Sequence, residues 1–78
     1  MVGKLSISEK DELNKLGNTI EIVGETPELE SMFGNKKVTQ IRKSLLDKGV
    51  IKKIDTDSRG ITTIDLSDKG WNWYHAKG

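Results

Sequence analysis

Apolar side chains recur at helical spacing in the first third of the chain. The four that share one helical face are Leu13, Leu16, Ile20 and Val23. Ser8, followed at once by acidic side chains, is typical of a helix start. The pattern therefore predicts a first helix over residues 8–23. Because Gly17 and the two residues after it are poor helix formers, an alternative is a helix that ends at Gly17, with residues 19–23 as a short strand.

A Thr26-Pro27 pair predicts the start of a second, short helix over residues 27–33. Threonine can cap a helix, and proline at the first helical position lacks an amide proton that would be unpaired there anyway. The apolar side chains that would point inward from this helix are Leu29, Met32 and Phe33.

A third helix is predicted over residues 36–48. Gly34-Asn35 breaks the chain before it, Asn35 can cap it, and Gly49 is a typical C-terminal stop. Its inward side chains would be Val38, Ile41 and Leu45. Two helices separated by a short glycine-containing turn predict a helix-turn-helix over residues 26–49.

The last third of the chain has the amino-acid composition of β-strands. Residues 50–55 and 61–66 are rich in isoleucine and threonine, and residues 56–60 between them have the polar and glycine composition of a turn. This predicts a β-hairpin with a charged tip. Ser67-Asp68 can then cap a short final helix, which carries the aromatic side chains Trp71, Trp73 and Tyr74.

Taken together, the chain predicts one α+β domain over residues 1–78, with three helices, a two-stranded hairpin and a short C-terminal helix. The segment LLDKGVI at residues 45–51 resembles the end of the recognition helix in winged helix-turn-helix regulators. The segment LSDKG at residues 66–70 resembles the L-T-x-K-G stretch that follows the wing in MarR-type members. The DSRG turn at residues 57–60 lies where those proteins have a wing tip. The resemblance implies a DNA-binding winged helix.

Charge is distributed unevenly along the chain, although the net charge is only +1. Residues 1–33 hold three basic and seven acidic side chains, whereas residues 34–60 hold eight basic and three acidic ones. Such asymmetry is expected of a protein that meets a polyanion with one face. Chance clustering on a solvated surface is the alternative.

The third helix carries the candidate base contacts on the side opposite its apolar stripe: Lys36, Thr39, Gln40 and Lys43. As a recognition helix, residues 36–48 would lie in the major groove of double-stranded DNA. Lys37 and Lys53 would contact phosphates, and Arg59 would enter a minor groove from a wing at about residues 50–66. Lys52 and Lys53 point to opposite faces of their strand, so only one is expected on the backbone. The predicted function is DNA binding, as a transcriptional regulator or a mobile-element accessory factor.

Two other functions remain open from the sequence. One is a protein-interaction module, or a homodimer, that uses Trp73 or the acidic first helix. The other is a single-stranded DNA binder in replication, with aromatic side chains stacked on unpaired bases. For Trp73 itself, closure of a small core competes with both functions.

Several chemistries are not expected. There is no cysteine, and His75 is the only histidine, so no metal site, cofactor or catalytic residue is predicted, and no enzyme activity. Residues 55–60 begin like a calcium loop, but Arg59 and Leu66 occupy ligand positions that need oxygen donors. No long apolar run is present, and the chain is expected to be a cytoplasmic protein.

Overall fold

Three α-helices and one antiparallel β-hairpin form the part of the chain that our computed structural model describes, residues 4–30 and 36–76. The protein is therefore an α+β domain, as predicted, but with three α-helices in these residues instead of the expected four. In chain order the elements are α1 (Ile7–Asn18), a π-helical turn (Thr19–Val23), α2 (Lys36–Asp47), β1 (Ile51–Thr56), β2 (Thr62–Leu66) and α3 (Asp68–Ala76).

The N-cap residue of helix α1 lies two residues before the predicted helix start. Ser6, not Ser8, is the N-cap residue: its hydroxyl accepts from the backbone N–H of Glu9 at 3.2 Å, and the Glu9 carboxylate accepts from the backbone N–H of Ser6 at 2.8 Å. This reciprocal pair satisfies two amide protons that a helix start otherwise leaves unpaired.

The α-helix ends at Asn18, but the chain continues as a π-helical turn to Val23, so the predicted helical conformation up to residue 23 is confirmed in this wider form and the alternative strand over residues 19–23 is wrong. The backbone N–H of Gly24 reaches the carbonyl of Thr19 at 2.9 Å, and this wider turn shifts the angular position of the following residues. Val23 was expected on the inner face, but its side chain is 64% exposed. Ile20, before the shift accumulates, still packs against the core.

The second helix predicted over residues 27–33 is not present in its described part. Residues 27–29 run antiparallel beside β2: Leu29 N–H donates to Thr62 O at 2.8 Å and Ile64 N–H donates to Pro27 O at 2.9 Å. The free edge of β2 offers these partners to an extended chain, and this tertiary pairing outweighs the local Thr-Pro helix signal. Leu29 is buried, as expected. The predictions for Met32, Phe33, Gly34 and Asn35 lie outside the described residues.

The hairpin is confirmed to within one residue at each boundary. Ile51 pairs with Leu66 and Lys53 with Ile64, and a β-bulge follows between Lys53 and Asp55. The side chains of Ile51, Ile64 and Leu66 are buried on the inner face of the hairpin. The bulge leaves Ile54 half-exposed, at 49%.

One apolar core joins every element of the fold. Among the described residues it contains nine buried side chains: Leu5, Leu13, Leu16, Leu29, Leu45, Val50, Ile51, Ile64 and Leu66. The aromatic rings of α3 close this core from one side and remain partly exposed. A chain of this size buries a limited share of its surface, so each of these contacts matters to its stability.

Helix α3 reaches the core through two glycines. A Cβ atom at Gly70 would collide with the carbonyl oxygen of Val50, and a Cβ atom at Gly17 of α1 would collide with the ring of Tyr74. Gly17 therefore lies inside α1, despite its low helix propensity, because the Tyr74 ring occupies the space of a side chain. The start predicted at Ser67 is consistent with its hydroxyl, which accepts from Gly70 N–H at 3.4 Å.

We expect Gly70→Ala to destabilise the protein by roughly 1–3 kcal/mol, because the added methyl group meets backbone that cannot rotate away. In an open helical position the same change stabilises by about 0.5–1 kcal/mol, so the sign of the effect is informative. Urea unfolding followed by circular dichroism measures it. Asn72→Ala, at an exposed position of the same helix, is the control and should change the free energy of unfolding little. A Gly70→Ala protein as stable as wild type would contradict this packing.

Candidate nucleic-acid interface

Helix α2 presents one exposed polar face. Leu45 is completely buried on its inner side, and the side chains about 140–180° around the helix from Leu45 point outward. These are Lys36, Gln40, Lys43 and Asp47, all exposed. The structure thus brings three of the four predicted base-contacting residues onto one accessible surface.

The other predicted residues of α2 flank this face. Thr39 is half-buried and already makes an interaction within the protein. Lys37 is exposed and lines a shallow cavity with Ser6 and Ser8, at the N-terminus of α1. Lys37 therefore lies at the junction of α1 and α2, beside the outward face and not within it.

The two lysines of β1 differ in their surroundings, although both are exposed. Lys52 lies opposite Asp65 in the strand register, whereas Lys53 lies opposite the apolar Ile64. A carboxylate on the facing strand offsets part of the charge at Lys52. Lys53, the predicted phosphate contact, has no such neighbour across the hairpin.

Arg59 lies at the hairpin tip, where Asp57 organises the turn. Asp57 Oδ1 accepts from the backbone N–H groups of Arg59 at 2.9 Å and Ile61 at 3.0 Å, and its Oδ2 accepts from the Arg59 guanidinium at 3.1 and 3.3 Å. The Ile61 N–H first, and then Arg59, hold the pKa of Asp57 below its ordinary value. The guanidinium is exposed but already carries a counter-charge, so the tip is close to neutral.

Residues 34–60, which carry the excess of basic side chains, are called the basic segment below. Two further cations of this segment form ion pairs inside the fold. Arg42 Nε donates to the Glu12 carboxylate at 2.9 Å, and its Nη1 donates to the backbone carbonyl of Glu28. Its side chain is only 19% exposed. Arg42 thus ties α2 both to α1 and to the segment that runs beside β2.

Glu9 forms the second internal ion pair, with Lys48. Its carboxylate lies 2.7 Å from Lys48 Nζ and accepts from the Ser44 hydroxyl at 2.6 Å. The hydrogen bond with Lys48, followed by those from Ser44 and the Ser6 backbone, lowers the pKa of Glu9 from 4.5 to about 2. The Lys48 ammonium also donates to the carbonyl of Lys4 at 2.9 Å.

The basic segment therefore exposes less free charge than its sequence indicates. Arg42, Lys48 and Arg59 have close carboxylate partners, and Lys43 lies 3.9 Å from the exposed Glu30. The basic side chains of this segment with no carboxylate in ion-pair range, among residues 4–30 and 36–76, are Lys36, Lys37, Lys52 and Lys53.

Glu9 and Glu12 entered the sequence analysis only in the charge balance of residues 1–33, yet a signal for their burial existed. At 100° per residue, both lie within about 40° of Leu16, on the apolar stripe of α1. Arg42 and Lys48 likewise lie within about 60° of Leu45 on α2. Charged residues inside facing apolar stripes indicate an ion pair between the helices, because a buried charge needs a partner.

The C-terminal aromatic cluster is largely internal. Trp71 and Tyr74 pack edge to face with ring centroids 5.7 Å apart, and Trp73 is half-buried against the core. This packing agrees with a role for Trp73 in core closure. The exposed His75 has its Nε2 atom 3.3 Å from the Glu21 carboxylate. Its ring stacks on that of Trp71, with the ring centroids 5.6 Å apart.

Searches for other chemistry give the following results. No group of three or more His, Cys, Asp or Glu side chains among the described residues could hold a metal ion. In the same part of the chain, no helix has the length and apolar character needed to cross a membrane. Comparison with known proteins finds no matching family model, no similar curated protein and no similar solved structure.

We expect the protein to lose stability in acid through Glu9. Its pKa is lower in the folded than in the unfolded state, so the unfolded state binds more protons and acid favours unfolding. The contribution is fully present above about pH 4.5 and disappears as the pH falls toward 2. The shift corresponds to on the order of 3 kcal/mol.

Urea unfolding at pH 6, 4 and 3 tests this expectation. Glu9→Gln should be less stable at pH 6 and should show a flatter pH dependence than wild type. Asp11→Asn, at an exposed position of the same helix, is the matched control and should keep the wild-type slope. An unchanged slope in Glu9→Gln would contradict the assignment.

Proposed function

We propose that this protein is a winged-helix DNA-binding protein that inserts α2 into the major groove of duplex DNA. The exposed face of α2 carries the proposal, because Lys36, Gln40 and Lys43 project from it side by side. Their ammonium and amide groups can hydrogen-bond to guanine O6 and N7 and to adenine N6 and N7. The proposed role is sequence-dependent binding, of the kind that a transcriptional regulator or a mobile-element accessory factor performs.

The position of these residues along α2 favours this proposal. The helix has 12 residues, which corresponds to a length of about 18 Å, and the candidate contacts lie in its first eight residues. Recognition helices usually contact bases with their N-terminal part. Asp47, the one acid on the face, lies at the far end, where a tilted helix would leave the groove.

The hairpin is oriented so that it can assist α2. Lys43 of α2 lies 3.9 Å from Glu30, and Arg59 of the hairpin tip lines one cavity together with Glu30. The helix and the hairpin tip thus border the same short segment. Lys37, at the α1–α2 junction, and Lys53, on β1, are the proposed phosphate contacts.

The internal ion pairs limit the electrostatic part of the affinity. Of the four free lysines, Lys52 and Lys53 point to opposite faces of β1, so roughly three can contact phosphates together, which predicts a slope of log affinity against log salt of about −2.7. Duplex affinity should then fall by roughly 40-fold between about 50 and 200 mM salt.

Fluorescence anisotropy of a labelled random duplex tests the proposal. We expect Lys36→Ala/Lys43→Ala to weaken duplex binding by roughly tenfold or more and to reduce the salt slope by about one to two units. The matched control is Lys15→Ala/Lys69→Ala, which removes the same charge from exposed positions on α1 and α3. This control should retain most of the wild-type affinity.

Three outcomes would contradict groove binding by α2. One is the absence of duplex binding at low salt. Another is an equal loss in both double variants, which would mean that total charge and not position governs affinity. The third is a preference for the single strand over the duplex, which would favour stacking on aromatic side chains.

A further inference from the structure

Glu30 is an acidic side chain beside the proposed DNA-contacting face. Its carboxylate lies 3.9 Å from Lys43 Nζ, and both side chains are largely exposed, at 74% for Glu30 and 55% for Lys43. Between such exposed groups an ion pair adds little to stability. The pair is therefore available to other partners.

The backbone next to Glu30 is held from two sides. Leu29 N–H donates to Thr62 O of β2 at 2.8 Å, and the carbonyl of Glu28 accepts from the Arg42 guanidinium of α2. The two residues before Glu30 are thus fixed to both the hairpin and the recognition helix. A carboxylate on an anchored backbone loses less conformational freedom when it binds.

An ammonium and a carboxylate side by side fit a base edge better than a phosphate. A phosphate carries negative charge and offers only acceptor oxygens, so it is attracted to Lys43 but repelled by Glu30. The major-groove edge of a G·C pair offers the acceptors O6 and N7 of guanine and the N4 amino donor of cytosine. Lysine can donate to guanine O6 and N7, and glutamate can accept from the cytosine N4 amino group.

We propose that Glu30 is a specificity-determining residue that, with Lys43, recognises a G·C base pair and disfavours a phosphate at this position. This inference rests on the proposed DNA binding by α2. The Glu30 carboxylate repels a DNA phosphate at this position, and this repulsion lowers the affinity for unrelated DNA more than the affinity for the correct site. Specificity is the difference between these two affinities.

The experiment compares Glu30→Gln with wild type on two kinds of DNA. A duplex selected from a random library by the wild-type protein is the specific probe, and a random duplex is the non-specific one. Copies of the selected duplex, each with one G·C pair replaced by A·T, locate the recognised pair. Glu25→Gln, which removes the same charge from an exposed position outside the proposed interface, is the matched control.

We expect Glu30→Gln to bind the random duplex several-fold more tightly, with a steeper salt dependence, because one more phosphate can approach Lys43. Its preference for the selected duplex should fall by roughly tenfold, and this loss should vanish when one particular G·C pair is replaced. Glu25→Gln should match wild type in every comparison. Thermal unfolding confirms that the variants are folded.

The remaining outcomes separate the two proposals. If the wild type binds no duplex, DNA binding by α2 is wrong, and the role of Glu30 is wrong with it. If the wild type binds but Glu30→Gln behaves like Glu25→Gln, only the role of Glu30 is overturned. An equal loss of both affinities in folded Glu30→Gln also overturns it, because a supporting role in the interface would then explain the effect.

Discussion

Two carboxylates of α1 point into the interface with α2, and the arrangement of the protein depends on how their charges are balanced. Glu9 and Glu12 are 7% and 8% exposed, and water cannot solvate them fully there. Lys48 and Arg42 supply the counter-charges from α2. Removing one partner of such a pair leaves the other charge uncompensated, which costs more than the pair itself contributes. The two pairs hold α2 at one rotation about its axis, and this rotation directs its opposite face to solvent.

Because of the same ion pairs, less free positive charge is exposed to a binding partner than the count of basic residues in the sequence indicates. Residues 34–60 carry an excess of basic side chains, yet Arg42, Lys48 and Arg59 each have a carboxylate within 3.1 Å. Long-range attraction to a polyanion therefore comes from a few lysines on α2 and β1. In the proposed DNA complex, with so few phosphate contacts, discrimination between sequences would come from hydrogen bonds to bases, and the polar groups on the outer face of α2 are suited to those.

The elements that could be predicted from sequence are those whose pattern is local. Apolar spacing and turn chemistry were sufficient for α2 and for the hairpin, whose boundaries agree to within one residue, and for the start of α3 at Asp68. The segment at residues 27–30 was assigned wrongly because its conformation depends on Thr62 and Ile64, more than thirty residues away, and a Thr-Pro pair holds no information about that edge. The exposed candidates on α2 followed from the helical period. The pairing of Glu9 with Lys48 could not be predicted in this way, because the helical period shows on which face of a helix a charged side chain lies but not which residue it contacts.

The mispredicted segment is also what couples the two parts of the proposed interface. A helix at residues 27–30 would contact its neighbours through side chains alone. The extended backbone instead hydrogen-bonds to β2 on one side and receives the Arg42 guanidinium of α2 on the other. Movement of the hairpin relative to α2 would break these bonds, so they oppose such movement. Because Asp57 already neutralises Arg59 at the tip, the hairpin adds little attraction of its own. In the proposed complex its contribution is orientation: it would set how α2 approaches a duplex, and thereby which base edges the exposed side chains reach.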